Sequence, residues 1–243
     1  FRESDLFSEV PERFDLITFN APYLPDDPEV KDIALDAGPG GYEIIIEILQ
    51  QARKHLKEGK ILLLFSSLSN PEVILSTEPY NFRLVESLKL DFEELFVYEV
   101  SLKCILGEGK RGIVFVDDYQ GGLAAVKMQK PGAPDTLKFE AENLKRVNEV
   151  GVGPEFYHFD GKRLYRELIE GERILDWADN HSREELRDVL RRVFDQLREL
   201  DKLGLNKEEM RNPYKHILID SGEPFLIDFE RSRFSENPQN ITQ

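Results

Sequence analysis

Four residues that follow an apolar strand, Asn20-Ala21-Pro22-Tyr23, have the types needed to activate a planar amino group. The lone pair of an amide or exocyclic amine is delocalised, so such a nitrogen is a poor nucleophile. An Asn side-chain oxygen and a backbone carbonyl that accept its two N–H groups localise that pair towards an incoming carbon. Pro22 fixes the direction of the carbonyl, and the ring of Tyr23 can stack on the planar substrate. Taken alone, the four residues equally describe a turn that ends a strand.

A second set of residues lies further along. Gly107-Glu108-Gly109-Lys110-Arg111-Gly112-Ile113-Val114 fits G-x-G-x-x-G-x-V in full. It falls in a predicted hairpin and not between a strand and a helix, which disfavours a dinucleotide-binding turn. Fifteen residues after Gly112, the alternating strand LAAVKM carries Lys127, and the helix after it carries Glu140 and Glu142. Near the end, Asp228-Phe229-Glu230 closes a hairpin. Over residues 102–243 these features, with the run LGLNKEEMRNPYKHILID, resemble small archaeal RIO-like predicted Ser/Thr kinases. The resemblance implies ATP and Mg²⁺, with Gly107, Gly109, Gly112 and Val114 over the nucleotide and Lys127 on its phosphates. Glu140 is then the ion-pair partner of Lys127, with Glu142 as the alternative. Glu167 and Ile169 belong to the segment whose backbone meets adenine, and Asp228 holds the metal. His216 stands where the catalytic loop H-R-D-x-x-x-x-N has its Asn, as a second metal ligand or as an ordinary loop histidine. Five residues before it there is Arg211 and no Asp, so Glu208 and Glu209 are the candidate bases. Asp228 is expected to be an unpaired carboxylate that tolerates replacement by Asn.

The elements that must position these residues divide the chain into two grammars. In the first hundred residues FDLITFN reads as a strand, 41–57 as an amphipathic helix and KILLLFSS as a second strand. A short helix at 70–76 and alternating strands near 83–90 and 94–100 follow. Continuous apolar strands separated by helices predict a parallel sheet covered on both faces, with the closing strand pair as an antiparallel edge. From Leu102 a glycine-rich hairpin leads to a helix over 136–149 and strands within 156–169. Ser182 and Glu185 predict a capping box that opens a helix ended by Gly204, and HILIDSGEPFLIDFE predicts a hairpin. The expected fold is α/β, the second half of a doubly wound sheet, which the resemblance given next makes that of an S-adenosylmethionine-dependent methyltransferase. An α+β two-lobed protein-kinase-like domain follows it, with domains 1–100 and 101–243.

The first domain carries a resemblance of its own. RESDLF, FDLITFNAPYLP and DAGPGGYEIIIEILQQARKHLKEGKILLLFSS are similar, in order and spacing, to the C-terminal half of the HemK/PrmC family. Those enzymes methylate glutamine in peptide release factors. The resemblance implies that Asp5 lies near the adenosine of S-adenosylmethionine and that Asn20, Pro22 and Tyr23 hold the acceptor amide. Ala21 departs from the usual Pro. The glycine loop for the rest of the cofactor is expected before residue 1, so S-adenosylmethionine is expected only where that part is present. The competing expectations are a non-catalytic nucleotide-binding module and a methyltransferase whose cofactor-binding half lies outside this chain.

The 243 residues carry a net charge of −15. Residues 1–100 have 9 basic and 20 acidic side chains, and residues 101–243 have 23 and 27. Such an acidic balance argues against broad nucleic-acid or anionic-membrane binding, which runs on Lys and Arg, and leaves a protein substrate as the expected partner. No apolar run approaches the roughly 20 residues of a membrane span. One cysteine, Cys104, gives neither a disulfide framework nor a cysteine metal site, and a cytoplasmic location is the default expectation.

Overall fold

The computed structural model describes residues 2–20, 22–26, 29, 32 and 34–241. Ala21 lies outside them. The chain forms two compact units, Phe1–Lys103 and Cys104–Gln243.

The first unit is a four-stranded sheet in the order β1-β2-β4-β3. Its elements are β1 (Phe14–Phe19), α1 (Glu43–Ala52), β2 (Leu56–Ser66), α2 (Pro71–Leu75), β3 (Tyr80–Lys89) and β4 (Glu94–Leu102). β1 and β2 are parallel, while β4 runs antiparallel to both β2 and β3. Ile45, Leu49 and Ala52 of α1 are fully buried in one cluster with Ile61, Leu63 and Phe65 of β2. The helix is shorter than its pattern suggested. Leu56 sits seven residues after Leu49 and so mimics another helical turn, but the chain turns at 53–55 and Leu56 enters β2 opposite Phe14. At Gly41, φ is +75° and a Cβ would lie 2.8 Å from the backbone nitrogen of Pro25, so glycine alone fits.

The second unit opens with an antiparallel sheet in the order β5-β6-β7-β9-β8. The strands are β5 (Ile105–Glu108), β6 (Gly112–Tyr119), β7 (Gly122–Gln129), β8 (Phe156–Phe159) and β9 (Arg163–Glu167), with α3 (Leu137–Asn148) between β7 and β8. Ile113, Phe115, Ala124, Val126 and Tyr165 bury one face of this sheet in a single cluster. By the two-residue period of strands, Val114, Ala125, Lys127 and Arg166 belong to the other face.

After β9 come β10 (Glu172–Arg173), α4 (Ile174–Asp179), α5 (Arg183–Lys202), β11 (Leu205–Asn206), the hairpin β12 (Ile217–Asp220) and β13 (Glu223–Leu226), and β14 (Arg233–Phe234). The Ser182 hydroxyl accepts from the Glu185 amide and the Glu185 carboxylate accepts from the Ser182 amide, so α5 begins with a complete capping box. Val189, Val193, Leu197 and Leu200 bury the inner face of α5. Each such side chain contributes about 2 kcal/mol of hydrophobic stabilisation. They join Leu144 of α3, Ile217 and Leu226 of the hairpin, and Phe229 in the main core of the unit.

Candidate functional site

The glycine-rich turn between β5 and β6 is closed by the Gly109 amide donating to the Gly112 carbonyl at 2.9 Å. Gly112 faces Gln129 across the β6–β7 ladder, and a Cβ there would meet the Met128 carbonyl at 2.7 Å. Any larger residue would push the two strands apart. Around Gly107 and Gly109 a Cβ would meet no side chain, so the backbone of this turn is open to a ligand.

Val114 lies directly opposite Lys127 in the same ladder. The Lys127 ammonium is 2.5 Å from Glu140, 3.2 Å from Asp228 and 3.3 Å from Glu230. Glu140 is on the first turn of α3 and only 2% exposed, whereas Glu142 is exposed on the outer side of that helix. Burial opposes the charge on Lys127, yet the three carboxylates together raise its pKa above the ordinary lysine value. Burial likewise pushes Asp228 up, but Lys127, Lys207 and His216 outweigh it and hold the carboxyl well below the usual range. The oxygens of Glu140, Asp228 and Glu230 lie within 4.8 Å of one another. Lys127 supplies the positive charge at their centre. The expectation of an unpaired Asp228 is therefore corrected: its carboxylate is already ion-paired.

Two groups set the Asp228 segment in place. Lys207, fully buried, donates from Nζ to the Ile227 carbonyl at 2.9 Å and to the Asp228 carbonyl, and sits 4.3 Å above the Phe229 ring. Asn143 of α3 donates from Nδ2 to the carbonyls of Phe229 and Ser232, both at 3.0 Å. Asp228 itself has φ +65°, a left-handed conformation that a non-glycine residue holds only when its surroundings enforce it. Neither contact was legible in the sequence: Lys207 stands in a polar run that reads as solvated surface, and Asn143 is an isolated amide on a helix.

His216 Nδ1 is 3.6 Å from an Asp228 oxygen, buried, and without a hydrogen-bond partner among the described residues. Burial, reinforced by the nearby Lys207, lowers its pKa. Glu209 is buried, and its Oε1 accepts from the Arg231 amide at 2.5 Å. Its Oε2 makes no hydrogen bond and lies 3.6 Å from Lys207 Nζ. Glu208 is instead taken up by the Arg231 guanidinium at 3.0 Å. Arg211 is exposed at the same opening.

These groups line a cleft of about 670 Å³ that runs from the glycine-rich turn to Glu209 and Asp228. A second cavity of about 280 Å³ adjoins it and shares Gly107 and Val114. Glu167 and Ile169 line this smaller cavity, with the Glu167 carboxylate held by the Glu155 amide at 3.0 Å.

In the first unit Asn20 follows directly on β1, at the carboxyl ends of the parallel pair β1 and β2, where open α/β sheets hold ligands. The loop it begins is pinned. Ser69, just past β2, donates from its hydroxyl to the Tyr23 carbonyl at 2.5 Å, and Leu24 bridges to Asp36. Asn20 is exposed and Pro22 and Tyr23 are half-buried; Asp5 is exposed ahead of β1.

No protein-family profile matches the chain. The chain is 40% identical over 106 residues to an inferred protein N5-glutamine methyltransferase of Methanocaldococcus jannaschii. The match takes in 40% of this chain and 54% of the relative, so the chain spans about half the length of the curated relative it matches. Over those 106 residues the chain is thus similar to part of a protein described as a glutamine methyltransferase. Among the described residues no helix is long and apolar enough to cross a membrane.

Proposed function

We propose that residues 104–243 bind a nucleoside triphosphate with Mg²⁺, ATP in the sequence reading, and transfer its terminal phosphoryl group to a protein hydroxyl as a RIO-like kinase does. The observation that carries this reading is Lys127, held at 2.5 Å by Glu140 and at 3.2 Å by Asp228 beneath an open glycine-rich turn. An ammonium so fixed is an electrostatic partner for phosphate oxygens. Gly107, Gly109, Gly112 and Val114 would cover the nucleotide, with Glu167 and Ile169 beside the base.

Asp228 fits Mg²⁺ as a charged oxygen donor facing the cleft, while the imidazole of His216 is a softer ligand that Mg²⁺ takes less readily. The metal, when bound, would neutralise charge on the phosphates. Glu209 is better suited than Glu208 to accept the proton of an acceptor hydroxyl. Its Oε1 is anchored and its Oε2 lacks a hydrogen bond, whereas Glu208 is paired with Arg231. The acceptor oxygen would then take the phosphoryl group and the nucleoside diphosphate would leave.

For residues 1–103 we propose the amide-holding part of a protein glutamine methyltransferase acting on a protein such as a release factor. Asn20, with Pro22 and Tyr23, would hold the acceptor amide, and Asp5 with Asn20 would border S-adenosylmethionine. Support for this comes from Asn20 at the carboxyl end of β1 and from the Ser69–Tyr23 bond that fixes its loop.

The test is thermal unfolding of the chain with Mg²⁺ and ATP, AMP or tripolyphosphate, since a ligand selective for the folded state raises its stability by mass action. ATP and tripolyphosphate should raise the melting temperature well beyond AMP, and Lys127→Ala should abolish the difference. Equal shifts by ATP and AMP would remove the phosphate role of Lys127. Single-turnover transfer from labelled ATP separates a kinase from a module that only binds nucleotide.

A further inference from the structure

Of the charged side chains that line the smaller cavity, Arg166 is the buried one, and nothing in the phosphate site uses it. Arg166, at the end of β9, is only 8% exposed, and its Nε has no hydrogen-bond partner among the described residues. It pairs with Ala125 in the β7–β9 ladder. Directly opposed residues project to the same face, and Ala125, on Lys127's face of the sheet, lines this cavity together with Arg166. Leu106, Val114, Leu218 and Ile227 give it apolar walls, while Arg173 and Lys215 are exposed at its rim. A buried guanidinium with an unsatisfied N–H is costly, by more than a neutral donor would be. Glu140 contributes an electrostatic partner on the side of Lys127, but no hydrogen bond.

We propose that Arg166 reads the base of the bound nucleotide and gives the site a preference for a 6-keto purine, guanine, over adenine. The inference rests on the nucleotide reading above and adds the base. A guanidinium has donors only. Guanine presents O6 and N7, two adjacent acceptors that an Arg fork satisfies together, whereas adenine puts an amino donor at the 6-position. Adenine would leave one N–H unpaired and set two donors against each other. The apolar walls give either purine the same stacking surface, so the discrimination falls on Arg166.

The experiment compares ATP, GTP and ITP, each with Mg²⁺, in thermal unfolding and calorimetric titration of the whole chain, beside Mg²⁺ with tripolyphosphate. ITP has the 6-keto group without the 2-amino group and so isolates the contact to O6. GTP and ITP should bind about tenfold more tightly than ATP. Arg166→Met should erase that preference and leave tripolyphosphate binding unchanged. Equal or tighter binding of ATP by the native chain overturns the inference while the nucleotide reading stands. So does a variant that weakens all three nucleotides and tripolyphosphate alike, because Arg166 then serves only as a second counter-charge for Glu140. If not even tripolyphosphate stabilises the native chain, the nucleotide reading itself has failed and this inference goes with it. The comparison among native-chain ligands decides the matter even where the variant does not fold.

Discussion

Lys207 Nζ donates to the backbone carbonyl of Asp228, so a fully buried ammonium sets the position of the carboxylate at the mouth of the cleft. Lys207→Met keeps most of the volume and removes the donor. Hydrogen bonds from a charged group contribute about 2 kcal/mol each, and the left-handed turn at Asp228 would relax. Mg²⁺–nucleotide affinity should fall about tenfold although Lys207 is not a ligand contact, while metal-free tripolyphosphate binding changes little. Titration with and without Mg²⁺ separates these effects.

Lys127→Met should destabilise the second unit by about 3 kcal/mol, because Glu140 is left buried without its hydrogen-bonded counter-charge. Adding Glu140→Gln should recover most of that loss without restoring nucleotide binding. The single tryptophan, Trp177, is buried in this unit and reports its unfolding in urea. A double variant no more stable than the single one would show that the ion pair is not the cause.

Asp228→Asn should lower the stability of the ligand-free protein, since the ionised carboxylate is paired with Lys127. The folded pKa is depressed. The stabilisation is therefore complete above the unfolded aspartate value of about 3.9 and lost as pH falls below it. The Trp177 unfolding midpoint, followed from pH 6 to pH 3, should fall less steeply in the variant than in the native protein. Unchanged acid sensitivity would contradict the pairing.

Burial, reinforced by Lys207, lowers the pKa of His216 in the fold. Below the unfolded histidine value of about 6.5 the unfolded chain binds a proton that the folded chain resists. Stability should decline as pH drops from about 6.5 towards the folded pKa, and His216→Gln should remove that part of the decline. Melting temperatures across pH 5 to 8 measure it.

In the first unit, the Tyr80 hydroxyl donates to the Leu49 carbonyl at 2.5 Å within the core. Tyr80→Phe should cost about 1 kcal/mol. Hydrogen exchange of α1 should quicken, while the Trp177 transition of the second unit stays where it was.

Much of this architecture was legible because its signals are local. Ser182 and Glu185 announce the start of α5, and the glycine pattern marks the β5–β6 turn. The pairing of Lys127 with Glu140 could be anticipated from strand and helix order. What lay beyond reach depends on contacts across long stretches of chain. Lys207 meets the Asp228 carbonyl from 21 residues away, and no spacing distinguishes it from an exposed lysine. Arg166 follows two adjacent apolar residues, Leu164 and Tyr165, so no alternation assigns it a face. Only the pairing of β9 with β7 turns it inward. The end of α1 was misjudged for the opposite reason, since Leu56 satisfies helical spacing while belonging to a strand.

The Arg111 guanidinium, in the glycine-rich turn, is 2.5 Å from the Glu230 carboxylate, which also reaches Lys127 at 3.3 Å. On the nucleotide reading proposed above, a triphosphate entering the cleft would exchange these partners for its own oxygens, and the turn would act as a latch. Its release would then limit how fast the ligand enters. Salt loosens a half-exposed ion pair such as this one. Moderate ionic strength should therefore quicken entry here, against the usual slowing of a charged ligand by screening, and the sign of that dependence distinguishes a latched cleft from an open one.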